Sequence, residues 1–237
     1  MIEREMYYQS IRDNLNKVCE RIESACKNSG RDVGSVKLLF AVKTVPADAI
    51  RAAVKAGISL IGENRVQEFA EKYDDLSDLN IERHFIGHLQ TNKAKEALKY
   101  VSCIQTVDNT DLIRKLNKQL QKEGRSIDVM VQVNTSFEKS KYGLPPDAVF
   151  DFLKELRKFD TLKMQGFMTI GLFDPDPEKV RPSYSLLCKI RDKAISEELI
   201  PPDARQLSMG MSGDLEIAVH EGATIVRIGS AVSGNRM

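Results

Sequence analysis

A lysine closing a short apolar run is the first residue of this chain whose type and setting point to covalent chemistry. The run is Lys37-Leu38-Leu39-Phe40-Ala41-Val42-Lys43. Side chains on a strand alternate faces, so Leu39, Ala41 and Lys43 share one side and Leu38, Phe40 and Val42 the other. With the bulkier set packed under helices, Lys43 points inward at the rim of whatever the strand helps to enclose. Partial burial there disfavours the ammonium form and frees an amine that can attack a carbonyl to form an imine. The competing reading is a surface lysine that caps a strand end.

A second run, Ile225-Val226-Arg227-Ile228-Gly229, sets Arg227 and Gly229 on the face opposite Val226 and Ile228. A buried arginine needs an acceptor. A pyridine-type nitrogen is one candidate, and a carboxylate such as Glu63 is another. Two loops are rich in small and hydroxyl residues: Ser208-Met209-Gly210-Met211-Ser212-Gly213-Asp214, and Gly229-Ser230. Small residues admit close backbone approach, hydroxyls donate, and a helix starting near Asp214 offers free N–H groups to an anion. Such loops also serve as plain turns. His84 and His88 stand four apart but flank a strand and have no carboxylate or cysteine grouped beside them, so they do not read as a metal site. Cys19 and Cys26 fit the buried face of a helix better than a redox role.

These residues need elements to carry them. Residues 4–28 read as a helix, because Ile11, Leu15, Val18, Ile22 and Cys26 recur at three- and four-residue spacing and Asn28-Ser29-Gly30 ends it. Thereafter apolar runs at 38–42, 59–62, 84–86, 103–107, 129–133, 164–170, 206–209 and 225–228 alternate with helix-period stretches at 47–56, 65–73, 91–99, 109–122, 146–158, 178–198 and 214–221. Strands alternating with helices predict a parallel sheet wrapped in helices. Eight such units close into a (β/α)8 TIM-type barrel more naturally than into an open sheet. Chemistry in these barrels gathers at the C-terminal strand ends, and phosphate often binds after strands seven and eight. Closure would also make the eighth strand the neighbour of the first, so Arg227 and Lys43 would face one mouth. The chain is therefore expected to be one domain over 1–237, with an N-terminal covering helix at 1–34 and the barrel at 35–237.

The bulk numbers agree with this picture and exclude others. Of 237 residues, 42% are hydrophobic and 29% charged, enough for a substantial core. A net charge of +1 removes the electrostatic drive toward nucleic acid or anionic membrane. No stretch approaches the roughly 20 apolar residues of a membrane span, and the N-terminus lacks a signal-peptide layout. Four irregularly spaced cysteines read as free, mostly buried thiols in a reducing cytoplasm.

Several segments together carry a family resemblance. They are Ala41-Val42-Lys43-Thr44, Gly62-Glu63-Asn64-Arg65-Val66-Gln67-Glu68, His84-Phe85-Ile86-Gly87-His88-Leu89-Gln90-Thr91-Asn92-Lys93, Val133-Asn134-Thr135-Ser136, Lys141 with Gly143, and Gly166-Phe167-Met168-Thr169-Ile170. Ser208-Met209-Gly210-Met211-Ser212 with Asp214, and Val226-Arg227-Ile228-Gly229, complete the set. On these the chain resembles the pyridoxal 5′-phosphate (PLP) homeostasis proteins (the YggS and PROSC proteins), which are similar to the N-terminal barrel domain of alanine racemase. The resemblance implies PLP held as a covalent aldimine on Lys43, with Arg227 at the pyridine nitrogen. It implies that Ser212, Gly229 and Ser230 hold the phosphate, and that Asn64, Ser208 and Met209 line the cofactor. It assigns no role to the His84–Lys93 segment. Two departures stand out: Val42 replaces the family's serine before the lysine, which should alter packing more than imine chemistry, and Ser233 replaces a phenylalanine, which could loosen the C-terminal packing.

The function so implied is intracellular PLP homeostasis by a carrier or regulator without catalytic turnover. It would be a cytoplasmic monomer whose partners are PLP and PLP-dependent apo-enzymes. The alternative is a PLP-dependent amino-acid racemase with an open site. Racemase chemistry needs a second base from a C-terminal β domain, and the chain is expected to lack one because it stops at Met237. None of the six tyrosines lies in a recognised catalytic motif.

Overall fold

Parallel strands buried on both faces must be apolar almost throughout, which is why the runs stand out in the sequence. The computed structural model of the protein describes residues 2–174 and 176–234. Its strands are β1 (Lys37–Ala41), β2 (Leu60–Glu63), β3 (Glu82–Phe85), β4 (Cys103–Val107), β5 (Ile127–Gln132), β6 (Leu162–Met168), β7 (Gln206–Ser208) and β8 (Ile225–Ile228). They pair in parallel in chain order, and β8 returns to β1 to close the barrel, as expected. The closing register sets Leu39 beside Arg227 and Phe40 beside Ile228.

The helices are α1 (Ile2–Asn28), α2 (Ala47–Lys55), α3 (Val66–Tyr73), α4 (Ala94–Ala97), α5 (Thr110–Glu123), α6 (Val149–Leu156), α7 (Pro177–Ser196), α8 (Leu215–His220) and α9 (Ser230–Ser233). Local chemistry explains where they start and stop. The Asn109 side chain caps α5 by accepting from the Leu112 N–H at 2.8 Å, and Gly124 ends it in the left-handed region at φ 61°. Between these ends Leu112, Ile113, Leu116 and Leu120 are buried on one face. The stretch expected as a helix at 91–99 is shorter: a 3-10 turn over Thr91–Lys93 precedes α4.

Two apolar layers result from strand alternation. Leu39, Leu60, Ile86, Cys103, Met130 and Ile225 fill the barrel, with Ala41 against them. Phe40, Val42, Ile61, Phe85, Ile104 and their counterparts face outward into the helices. Gly62 leaves room for this interior, since a Cβ there would come within 2.5 Å of Leu39 and 2.9 Å of Ile86. Helix α1 buries Ile11, Leu15, Val18, Ile22 and Cys26 and packs on α2, α8 and α9. Cys19 departs from expectation. It is exposed, because the buried stripe of α1 runs through Val18 and Ile22 on the adjoining face.

Candidate functional site

The chain leaves the sheet two residues before Lys43. Val42 still donates its N–H to the Gly62 carbonyl at 2.8 Å and is buried on the helix side. Lys43 and Thr44 then form a turn, with Thr44 at φ 60°. Lys43 is exposed. The expectation of a partly desolvated lysine inside the rim is thereby corrected, for the side chain stands on a turn above the barrel. Glu63 is the other acceptor considered for Arg227. It is wholly buried and pairs with Lys72 at 2.9 Å, not with Arg227. Burial pushes the Glu63 carboxyl above its usual range, and Lys72 opposes that rise.

Arg227 lies inside the barrel's upper end, 6% exposed. Its Nη1 donates to Ser208 Oγ at 2.9 Å and its Nη2 to the Thr169 carbonyl at 2.8 Å. Burial lowers its pKa, though an arginine starts high enough to stay charged. The Ser208 hydroxyl donates onward to Gln105 Oε1 at 2.6 Å, and Gln105 Nε2 lies 2.7 Å from His84 Nδ1. His84 Nε2 is 3.5 Å from Glu82 at the far rim, and Glu82 meets Lys37 at 3.2 Å. A hydrogen-bonded file thus runs down the barrel axis from Arg227 to solvent at the opposite end. Gln105 was absent from the sequence reading. Its signal was a polar residue at an inward position of an apolar strand.

The other expected residues divide. Ser208 is fully buried and acts on the mouth through Arg227. The Met209 side chain is fully buried in the outer layer, so only its backbone borders the mouth. Asn64 is exposed at the end of β2. Ser212, half-buried, follows β7, while Gly229 and the exposed Ser230 follow β8. Helix α1 holds both of these loops. Arg21 Nη2 donates to the Ser212 carbonyl at 3.0 Å, and Asn14 Nδ2 to the Val232 carbonyl at 3.3 Å. Ser233 turns its hydroxyl back to the Gly229 carbonyl at 3.5 Å, and Val232 is buried beside it.

Neighbouring loops are laced together around the same mouth. Thr169 donates to the Val133 carbonyl at 2.7 Å and lies 2.9 Å from the Thr135 hydroxyl. Gln132 is buried, and its Oε1 has no hydrogen-bond partner. Tyr184 is fully buried and donates to Asp214 Oδ2 at 2.7 Å. Burial and Asp214 together drive its phenol pKa far up.

The His84–Lys93 segment acquires a structural account. His84 joins the axial file, Ile86 fills the barrel, and Leu89 enters the outer core. Gly87 touches the Asn64 backbone so closely that a Cβ would come within 2.1 Å of its carbonyl oxygen. His88 stacks on Tyr142 at 3.8 Å between ring centres. A cavity of 680 Å³ opens beside these loops, lined among others by Thr44, Asn64, Arg65, Phe85, His88 and Lys93.

Comparison with known proteins places the chain in company. Residues 8–237 match the family model described as "Alanine racemase, N-terminal domain". The chain is 41% identical to a "Pyridoxal phosphate homeostasis protein" of Aquifex aeolicus over 94% of its own length and 97% of that protein's. A human protein of the same name is 38% identical over 94% of this chain and 85% of its own. Among solved structures, PipY of Synechococcus elongatus "with PLP bound" superposes with a TM-score of 0.80 at 30% identity, covering 92% of this chain and all of that one. Alanine racemase from Clostridium difficile shares the fold alone, with TM-score 0.74 at 16% identity, and this chain covers 57% of it.

Proposed function

The chain belongs to the pyridoxal phosphate homeostasis proteins, built on the alanine racemase N-terminal barrel, and we propose that Lys43 is its covalent attachment point for PLP. It binds PLP and serves PLP homeostasis, a reading that its relatives' names and the PLP-bound PipY structure support. When bound, the cofactor supplies an aldehyde that a lysine amine takes up with loss of water.

One observation carries the assignment. The β1–β8 register sets Arg227 beside Leu39, and from there the chain runs through Ala41 at the end of β1 to the turn that carries Lys43. PLP carries its aldehyde and ring nitrogen at opposite corners of one ring, suited to two long side chains approaching from either end. The donor set fits as well. Arg227 gives one N–H bond each from Nη1 and Nη2, which leaves the rest of its five donors for a ring nitrogen. Because Arg227 keeps its own proton, that nitrogen remains an acceptor and the ring a weak electron sink. Ser212, Gly229 and Ser230 would hold the phosphate, Asn64 would border the ring, and the Met209 backbone would edge the loop. Ser208 holds Arg227 in place.

Borohydride reduction in the presence of PLP should fix a PLP-sized mass on the peptide containing Lys43, and Lys43→Ala should abolish it while leaving far-UV circular dichroism unchanged. A chain that takes no adduct in excess PLP would refute the assignment. Against the racemase alternative, Tyr184 is fully buried with its hydroxyl bonded to Asp214, so it offers no open phenol to a substrate. Incubation with L-alanine in deuterated water should therefore yield no D-alanine above the cofactor-only background.

We further take the protein to be a cytoplasmic monomer that passes PLP to PLP-dependent apo-enzymes, the whole of 1–237 acting as one domain. Among the described residues no helix is long and apolar enough to cross a membrane, and all four cysteines are free, as suits a reducing compartment. Among the described residues the exposed large apolar side chains are scattered (Met6 on α1, Val33 after it, and Phe137, Tyr142, Phe173 and Met211 on the loops after β5, β6 and β7), so no broad apolar face calls for a second copy. Analytical ultracentrifugation tests the monomer.

A further inference from the structure

The turn that carries Lys43 is gripped from both sides by one face of α3. On the near side, the Val42 carbonyl accepts from Lys72 Nζ at 2.9 Å. On the far side, the Thr44 N–H donates to Glu68 Oε2 at 2.8 Å. Glu68 and Lys72 stand four apart on α3, so they share a face, and they meet at 3.5 Å. Behind them Glu63, at the end of β2, accepts from the same ammonium at 2.9 Å and from the Asn64 N–H at 3.1 Å.

An exposed surface turn needs no such apparatus, because water satisfies its peptide groups. Here the side chains of Glu63, Lys72 and Glu68 are 0%, 14% and 17% exposed, while the lysine they flank is exposed. Thr44 also adopts a left-handed backbone at φ 60°, unfavourable for a β-branched residue unless its surroundings impose it. The carboxylates behave as parts of one cluster. Burial raises Glu63, whereas for Glu68 the Thr44 N–H and Lys72 outweigh burial and lower it.

We propose that Lys72 and Glu68 are positioning residues that fix the peptide units on either side of Lys43, so that its amine is presented to the mouth in one orientation. Glu63 anchors the pair to the barrel. A lysine held this way meets an incoming aldehyde with less conformational freedom to lose, which tightens capture without any direct contact. The inference rests on the reading of Lys43 as the attachment residue.

The test uses the full chain with Lys72→Met, Glu68→Ala and Glu68→Gln. In protein without PLP, hydrogen exchange at the Thr44 amide should quicken by about tenfold or more in Lys72→Met and Glu68→Ala, with barrel amides unchanged. Glu68→Gln keeps an acceptor for Thr44 and should stay near the original rate. The PLP concentration that half-saturates borohydride trapping on Lys43 should rise by roughly tenfold in the first two variants. Lys72→Arg should recover most of the loss.

If Lys72→Met fails to fold, Glu68→Ala, at a position less buried than Glu63, decides the matter through the same two measurements. Exchange and half-saturation within about twofold of the unaltered chain would overturn the clamp while leaving the Lys43 assignment standing. Trapping at another lysine in the unaltered chain would overturn that assignment, and the clamp with it.

Discussion

At the residue scale, Arg227 matters because of what it can no longer do. Two of its N–H groups are committed to Ser208 and to Thr169, which fixes the plane of the guanidinium and leaves its remaining donors to a ligand. Ser208 is the hinge of this arrangement, since its oxygen accepts from Arg227 while its proton goes to Gln105. Ser208→Ala would leave a buried Arg227 N–H and the Gln105 carbonyl oxygen without partners. An unmade buried hydrogen bond costs about 1–3 kcal/mol. For a chain of this size each kcal/mol lowers Tm by about 2–4 °C. Thermal unfolding of Ser208→Ala should therefore fall by several degrees, and its affinity for PLP should fall with it. An unchanged melting curve would mean that water replaces the hydroxyl in the file.

At the element scale, the strands do more than enclose a core. β3 and β4 each place one polar residue inward, His84 and Gln105, and these carry the polar file from the mouth toward the far rim. The file ends at Glu82, the first residue of β3, where hydrogen bonding to His84 and then Lys37 holds the carboxyl down at about 2. Its ordinary value is 4.5, so the folded state prefers the ionised form. That preference stabilises the fold above pH 4.5 and disappears as pH falls from 4.5 toward 2. Glu82→Gln should accordingly be less stable than the original chain at pH 7, with the gap closing below pH 4.5 in a series of denaturant titrations. Because the Glu82 side chain is half exposed, solvent screening keeps the gap small, about 1 kcal/mol or less. A gap that stays constant down to pH 2.5 would contradict the assignment. α1 has a comparable dual part: it covers the β8 side of the barrel and, through Arg21 and Asn14, tethers the loops that follow β7 and β8.

At the scale of the whole molecule, closure of the barrel is what brings distant segments side by side. Lys43 and Arg227 lie at opposite ends of the chain, yet β1 and β8 are neighbours in the sheet. A ligand touching the loops after β1, β2, β7 and β8 at once bridges the seam of the barrel. It should stabilise the entire fold by mass action, because the unfolded chain offers no such site. At a free PLP concentration of 100 times Kd that stabilisation is about 2.7 kcal/mol. The melting temperature should rise with PLP in the original chain and rise much less in Lys43→Ala. Equal shifts in both would show that the phosphate and ring contacts, not the lysine, supply the binding energy.

The sequence by itself determined the barrel, because its strands are buried on both faces and local apolar runs therefore mark them. It also singled out Lys43, Arg227 and the loops after strands seven and eight, since these are chemically odd residues at strand ends. Cys19 was misread as buried because a stripe at helical spacing has a width, and one position at its edge can fall either side. Only the tertiary structure decided that β1 stops at Ala41 and lifts Lys43 onto an exposed turn, that Glu63 answers Lys72 instead of Arg227, and that Gln105 links Ser208 to His84. Each of these depends on register and approach between segments tens of residues apart. Periodicity within one segment carries the direction of a side chain but not the identity of what it meets.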